Sequence, residues 1–223
     1  MTQYSKEYTE DFLNKYKVME SIEQDDYERF EKYKNMYYSK FEMFRYIRNN
    51  LTHNISDGEF PIIISKSVLD DITDILKMMN ERITERAVMK SKIYFATLHS
   101  KLKDVISVVC EKNYSYVPIL DDEGLVIGVF SDNTLLHYIH QNKEGIIYDE
   151  NTRMREFNNL LIIDDNKNEI FKFVSKDRYV YETEKLFSEI DANGKRRGSL
   201  FVTNDGLQTQ KILAMVTSWD MIK

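Results

Sequence analysis

The chain has 223 residues, of which 42% are hydrophobic and 30% are charged, and its formal net charge is −6. This composition is typical of a globular protein, and the negative charge gives no electrostatic basis for binding nucleic acid or an anionic membrane. The one cysteine, Cys110, excludes an internal disulfide; it lies at an apolar helix position, where we expect it to be buried. The N-terminus lacks a signal-peptide pattern, and no apolar run approaches the roughly 20 residues of a membrane helix. We therefore expect a cytoplasmic protein that does not enter a membrane.

Residues 1–86 predict a helical region. Apolar residues recur at helical spacing over residues 4–19, then from Tyr27 to Leu51, and again over residues 66–79. The middle run predicts one long helix with an aromatic stripe. We expect this stripe to pack in a core or against a partner helix, because that is the usual role of such spacing.

Short local patterns predict further elements. Ser67, followed three residues later by Asp70, resembles a capping box and predicts the start of the helix over residues 66–79. Residues 60–64 and the apolar run 160–163 each predict a short strand.

The middle helical run ends in Arg48-Asn49-x-x-x-His53. This pattern resembles the higher-eukaryote-and-prokaryote nucleotide-binding (HEPN) family over about residues 25–80. Members are small helical bundles, often dimeric, and many are metal-independent ribonucleases. The resemblance implies that His53 moves protons and that Arg48 stabilises a phosphoryl charge, with Asn49 as the polar member of the motif.

A structural explanation of the same motif stays open. Residues 1–90 contain 14 basic and 17 acidic residues, with no basic track for RNA, so RNA is a possible but not a favoured partner. Arg48 can pair with a nearby carboxylate, while Asn49 and His53 complete the C-terminus of the helix. We therefore assign no catalytic residue on this motif alone.

A structural unit occurs twice in the rest of the chain. Each copy reads as a strand, a helix, a second strand, a turn containing glycine, a third strand and a final helix. The corresponding strands are residues 93–97 and 171–175, residues 117–120 and 200–203, and residues 125–130 and 212–216.

Each copy ends in a turn that carries a hydroxyl side chain. The second copy has Thr217 and Asp220, and the first has Ser131 and Thr134 at the same positions. Thr217 can cap the final helix by accepting a bond from a backbone N–H of its first turn. Thr217 and Asp220 can also hold the hydroxyls of a sugar, because a carboxylate offers two acceptor oxygens.

The order and spacing of both copies resemble the cystathionine-β-synthase (CBS) domain, over about residues 87–223. The resemblance implies an α+β fold, in which the N-terminal helical region precedes two β-α-β-β-α repeats packed as a pseudo-two-fold pair. The repeats are expected at residues 87–142 and 143–223. CBS domains occur as tandem pairs that bind adenosine-containing ligands between the copies.

The resemblance also implies the residues of a ligand site. Asp220 would bond the ribose hydroxyls, and Thr217 would contact the sugar or a phosphate. Tyrosine rings from the other copy would stack on adenine, and cations before a strand would bind phosphates. The binding residues expected in this way are Asp220, Thr217, Tyr94, Tyr114, Ser115, Tyr116, Arg196 and Arg197.

The two copies predict unequal sites. Thr134 occupies the position that Asp220 has in the second copy, so the first copy is expected to bind a sugar more weakly. In the second copy, Ala214 replaces the glycine that is usual before this turn. Its side chain is expected to crowd the close approach of a ligand to the turn. We expect one main site, formed with Thr217 and Asp220, and one degenerate site.

These patterns predict a regulatory protein whose repeats sense an adenosine-containing nucleotide and signal to a helical region that forms a homodimer or acts as the effector. The alternatives are a HEPN-type ribonuclease gated by the repeats and a structural dimer with an unused pocket. The ligand stays open among AMP, ADP, ATP, a cyclic dinucleotide and S-adenosylmethionine. No metal is expected, because His137 and His140 share a helix face without a cysteine or carboxylate partner.

Overall fold

The chain divides into two units, Met1–Glu81 and Arg82–Lys223. A computed structural model describes residues 3–53, 62–88, 93–141, 149–163, 169–192, 194 and 196–221. No helix in these ranges has both the length and the apolar character that a bilayer crossing requires.

The first unit is helical, as predicted. Its helices are α1 (Gln3–Asp25), α2 (Tyr27–Met36), α3 (Tyr38–His53) and α4 (Lys66–Asn80). Most of the aromatic stripe is buried, as expected, although Tyr27 at its start is 57% exposed. The rings of Phe30 and Phe41 meet edge to face with centroids 5.4 Å apart, and Phe44 is fully buried.

The aromatic run forms two helices, so the prediction of one long helix is wrong. The chain leaves helical geometry at Tyr37, which has φ −121° and ψ 38°. Its hydroxyl lies 3.4 Å from the sulfur of Met78, and the hydroxyl of Tyr33 donates to the carbonyl oxygen of Met78 at 2.8 Å. The break is thus accompanied by contacts of both tyrosines with α4.

The start of α4 also differs from the prediction. Ser65 is the N-cap, and its hydroxyl accepts a bond from the backbone N–H of Val68 at 3.4 Å. Ser67 lies inside the helix. Residues 62–64 are not a strand, and residues 60 and 61 lie outside the described residues.

The second unit contains both copies of the predicted repeat, which are called here the first half (residues 93–141) and the second half (residues 169–221). It begins with α5 (Ile83–Val88). The first half contains α6 (Leu102–Lys112), β1 (Tyr116–Leu120), β2 (Val126–Ser131) and α7 (Asp132–Gln141). The second half contains β3 (Glu169–Ser175), α8 (Val180–Ala192), β4 (Arg196–Thr203), β5 (Ala214–Thr217) and α9 (Ser218–Met221).

The sheets confirm the predicted α+β fold class and the order of the elements. Strands β1 and β2 form an antiparallel hairpin. In the second half β3 runs parallel to β4, and β4 runs antiparallel to β5. The first strand of the first half is reduced to one parallel bridge between Ala96 and Ile119.

The two halves share a core. Leu120, Val126 and Val129 of the hairpin are buried in one cluster with Phe171 and Phe201 of the second-half sheet. Burial of this kind contributes about 25 cal/mol for each Å² of apolar surface, so the halves stabilise one another. The opposite face of each sheet packs against helices: that of the first half against α6 and the segment Met154–Leu161, and that of the second half against α8 and α5.

The segment between the halves contains a 3-10 helix, Met154–Leu160, so the strand predicted at residues 160–163 is wrong. The chain then passes along β2, where the backbone N–H of Val129 donates to the carbonyl oxygen of Leu161 at 2.9 Å. Leu161 and Ile163 are buried, while Ile162 is 45% exposed. Cys110, expected to be buried, is exposed.

Helix α5 precedes the first half in sequence but packs against the second half. Ile83 is fully buried in a cluster with Val174 and Val180. Its backbone N–H donates to the carbonyl oxygen of Arg178 at 2.8 Å. The second-half core therefore includes a helix from the beginning of the unit.

Candidate functional site

A cleft of about 340 Å³ lies in the second unit, beside the turn that joins β5 to α9. Most of the residues predicted for a ligand site line it. They are Tyr94, Tyr114, Ser115, Tyr116, Thr217 and Asp220. The cleft is also lined by Ala87, Ile93, Lys112, Asn113, Met215 and Trp219.

The turn at Thr217 forms a closed hydrogen-bonding arrangement. One oxygen of Asp220, Oδ2, accepts bonds from the backbone N–H of Thr217 at 2.7 Å and from its hydroxyl at 3.0 Å. The direction is the reverse of the predicted cap, because Thr217 donates and Asp220 accepts. These bonds hold the carboxylate at the edge of the cleft.

The tyrosines reach the cleft because α6 ends abruptly. Asn113 adopts a left-handed conformation with φ 53°, which asparagine tolerates better than most residues, and its backbone N–H donates to the carbonyl oxygen of Val109. The chain then reverses into β1 and brings Tyr114 and Ser115 to the wall of the cleft.

The three tyrosines have different environments. The rings of Tyr94 and Tyr114 stack on each other with centroids 6.4 Å apart and an interplanar angle of 21°. Tyr116 packs edge to face on Phe171 at 5.6 Å, so its ring belongs to the core between the halves. Burial, with a smaller contribution from the charge of Asp104, raises the pKa of Tyr94. Its phenol therefore remains protonated and able to donate a hydrogen bond at neutral pH.

Trp219 was missed in the sequence analysis. It is the one tryptophan of the chain, it lines the cleft, and 72% of its side chain is exposed. Exposure of so large an apolar side chain is unusual and often marks a binding surface. The signal in the sequence was its position between Thr217 and Asp220.

Positive charge near the cleft comes from the end of α6. Lys112 is the only basic residue among those described as lining it. Arg196 and Arg197 lie on β4 opposite Glu169 and Ile170. Their side chains fall outside the described part of the chain, as does Lys195.

In the first half, the side chain of Glu169 occupies the position beside the corresponding turn. The hydroxyl of Ser131 donates to Oε2 of Glu169 at 2.7 Å, and the side-chain amide of Asn133 donates to Oε1 at 2.8 Å. The hydroxyl of Thr134 accepts a bond from the backbone N–H of Ser131 at 3.0 Å. All four side chains are buried, with exposures between 3% and 7%.

Arg48 and Asn49, near the end of α3, make ordinary structural contacts. Arg48 donates to a carboxylate oxygen of Glu20 at 2.7 Å and to Oδ1 of Asn49 at 3.1 Å, and it lies over the ring of Tyr16. The side chain of His53 lies outside the described residues. An ion pair with Glu20 thus accounts for Arg48, as the structural explanation of the motif predicted.

Within the described ranges, no group of three or more histidine, cysteine, aspartate or glutamate side chains is arranged to hold a metal ion. His137 and His140 both lie on α7. We propose no metal site at these two histidines.

Comparison with known proteins assigns part of the second unit. The family model for the CBS domain matches residues 83–141. A curated relative, the cilia- and flagella-associated protein 61 of Tetrahymena thermophila, is 29% identical over 143 residues. That match covers 58% of this chain, and the chain spans only 7% of the length of the relative.

Solved structures of CBS-domain proteins are similar over about two thirds of this chain. CBSX2 in complex with AMP is 14% identical, covers 63% of this chain and 92% of its own, and has a TM-score of 0.42. The CBS domain pair of MJ0100 in complex with 5-methylthioadenosine and S-adenosyl-L-methionine is 14% identical, with coverages of 63% and 91% and a TM-score of 0.43. The CBS-domain protein ATU1752 of Agrobacterium tumefaciens is 10% identical, with coverages of 64% and 91% and a TM-score of 0.44.

Proposed function

Since the family model for the CBS domain matches residues 83–141, we propose that the second unit is a sensor module that binds an adenosine-containing ligand in the cleft beside Thr217 and Asp220. The observation that carries this proposal is the arrangement of the cleft. A carboxylate held at a strand–helix turn faces aromatic side chains in a space of about 340 Å³. That volume lies within the range of roughly 300–1,000 Å³ of small-molecule pockets.

Each part of the ligand has a proposed partner. The carboxylate of Asp220 accepts bonds from the ribose hydroxyls, because a carboxylate has acceptor capacity beyond the two bonds from Thr217. Aromatic faces at the cleft contact the adenine base, and the exposed indole of Trp219 offers the largest of them. Lys112, together with Arg196 and Arg197 on β4, provides charge for a phosphate.

Helix α5 is proposed to transmit the effect of ligand binding to the N-terminal helical region. Its residue Ala87 lines the cleft, and its first residue Ile83 is anchored in the second-half core. The chain passes directly from α4 through Glu81 and Arg82 into α5. Ligand binding is proposed to change the stability of α5 and, through this short connection, to alter the helical region, which acts as a homodimerisation or effector region.

Calorimetric titration tests the binding proposal. The purified chain is titrated with AMP, ADP, ATP, a cyclic dinucleotide and S-adenosylmethionine. We expect at least one of them to bind with a Kd on the order of 1 μM, equivalent to about −8 kcal/mol. The variant Asp220→Ala should lose this binding, while the control Asp132→Ala, which removes an exposed carboxylate from the first-half turn, should keep it. Equal loss in both variants, or no binding by the wild type, would refute the proposal.

Hydrogen exchange tests the readout. Saturating ligand should slow amide exchange in α5 and change it in the helices over residues 3–53 and 66–80. Light scattering measured with and without ligand reports whether the oligomeric state follows. Slowed exchange in α5 with no change in residues 3–80 would refute signalling but leave binding intact.

A further inference from the structure

The turn of the first half carries the elements of a second site, already occupied by a side chain of the protein. Ser131 and Thr134 correspond to Thr217 and Asp220, and Asn133 corresponds to Trp219. In the second half the corresponding turn borders an open cleft, whereas in the first half the same position is buried around Glu169.

By the repeat, Glu169 lies in the segment that corresponds to the one lining the open cleft at Ile93. It is the first residue of β3, two positions before Phe171, which corresponds to Ile93 in the first half. Ile93 and Tyr94 line the open cleft from that segment. The start of β3 therefore meets the first-half turn as the segment at Ile93 meets the second-half turn.

Glu169 makes hydrogen bonds to the side chains of the turn that a bound ligand would otherwise contact. Its two oxygens accept bonds from the hydroxyl of Ser131 at 2.7 Å and from the amide of Asn133 at 2.8 Å, and only 4% of the residue is exposed. Burial of a carboxylate is unfavourable unless hydrogen bonds replace its lost water. Here the same two bonds pair the carboxylate with the buried hydroxyl of Ser131 and the buried amide of Asn133.

We propose that Glu169 is the built-in occupant of a second nucleoside site, so that each chain binds a single adenosine ligand. This inference rests on the proposed function of the open cleft. Removal of the carboxylate opens the second site, which accepts the hydroxyl groups of a nucleoside through Ser131, Asn133 and Thr134. The opened site binds at least tenfold more weakly, because Thr134 stands where the other turn has a carboxylate.

The test is the stoichiometry of binding to the full chain, measured by calorimetry and equilibrium dialysis with AMP and, separately, with S-adenosylmethionine. The wild type should bind one ligand per chain. Glu169→Ala should gain a second, weaker equivalent, while the isosteric control Glu169→Gln should remain at one because its amide fills the same space. The double variant Asp220→Ala/Glu169→Ala should retain only the weaker equivalent.

The outcomes separate this inference from the proposed function. Two ligands bound per wild-type chain would overturn the role of Glu169. This outcome can be measured on the wild-type protein alone. A folded Glu169→Ala protein that still binds one ligand, with binding dependent on Asp220, would overturn the second site alone. If Glu169→Ala melts below the assay temperature, Glu169→Ser replaces it, because its hydroxyl satisfies part of the buried network. No binding to the wild type or to any variant would overturn both proposals.

Discussion

The carboxylate of Asp220 accepts both the backbone N–H and the hydroxyl of Thr217, at 2.7 and 3.0 Å, across the turn from β5 to α9. A helix as short as α9, with four residues, gains little from its own hydrogen bonds. The side-chain bonds therefore hold the turn in place. They also fix the direction in which Asp220 faces the cleft. Under the proposed function, the stability of the turn and the binding of a ligand should therefore depend on the same two residues.

Replacement of the Thr217 hydroxyl should affect stability and binding together. Thr217→Val removes one donor to Asp220, and we expect a loss of about 0.5–1.5 kcal/mol in the free energy of unfolding. Whichever nucleotide binds in the titration should bind about tenfold more weakly, because the carboxylate is less firmly held. Urea unfolding and calorimetry measure both effects, and Thr217→Ser is the matched control because it keeps the hydroxyl. Wild-type affinity in Thr217→Val would contradict the role assigned to the hydroxyl.

Trp219 should provide a direct optical signal of the proposed ligand binding. It is the only tryptophan and is 72% exposed, so its emission should shift to shorter wavelength or be quenched when a base covers it. Trp219→Phe should keep most of the affinity, whereas Trp219→Ala should weaken binding by about tenfold, equivalent to 1.4 kcal/mol. Emission that stays constant during a calorimetrically confirmed titration would show that the indole does not meet the ligand.

Gly198 is required by the close approach of β4 to β3. An added Cβ would overlap the carbonyl oxygen of Ile170. We expect Gly198→Ala to lower the free energy of unfolding by about 3 kcal/mol, because backbone at this position must move. Gly194→Asn is the control, since that position has φ +73° in open space and asparagine tolerates left-handed geometry. Equal melting temperatures for the two variants would contradict the packing described for β3 and β4.

Ile83 tests the packing of α5 on the second half. Ile83→Ala removes a fully buried side chain from that core and should cost about 2–5 kcal/mol. Ile162→Ala, at a site that is 45% exposed, is the control and should change the free energy by less than about 1 kcal/mol. Thermal and urea unfolding of the full chain measure the difference. Similar small losses in both variants would place α5 outside the core.

Arg48 distinguishes a structural role from a catalytic one. Arg48 and Glu20 are each about one third exposed, with side-chain values of 34% and 36%, so their ion pair should contribute less than about 1 kcal/mol. Arg48→Gln and Glu20→Gln should therefore lower stability by similar small amounts and leave any activity on RNA unchanged. RNA cleavage by the wild type that is lost in Arg48→Gln but kept in Glu20→Gln would revive the ribonuclease alternative.

Much of the cleft was predictable because the repeat carries positional information. The match between residues 93–97 and 171–175, and between the two terminal turns, assigned Tyr94, Thr217 and Asp220 to one region once the CBS resemblance implied a ligand site shared between the copies. Asn113 was harder to predict, because its left-handed conformation depends on where α6 ends. Trp219 was missed because an exposed apolar side chain has no periodic pattern.

Other features depend on contacts between residues distant in sequence. Glu169 meets Ser131 across 38 positions and Asn133 across 36, and no local pattern distinguishes this glutamate from a surface residue. The break at Tyr37 interrupts an otherwise continuous helical pattern, and contacts of Tyr37 and Tyr33 with Met78 accompany it. The apolar run at residues 160–163 resembled a strand because periodicity alone cannot assign so short an apolar run. Leu160 ends the 3-10 helix, and Leu161 has φ −86° and ψ 0°.

The anchoring of α5 has a consequence for synthesis of the protein. The guanidinium of Arg82 donates to the carbonyl oxygen of Asp177, 95 positions later, and lies 3.6 Å from the centre of the Tyr179 ring. At translation rates of roughly 5–20 residues per second, about 5–20 s pass between the appearance of these two residues. During that interval Ile83 leaves the ribosome without its partners. The second-half core therefore cannot close around Ile83 until residues of the second half have been synthesised.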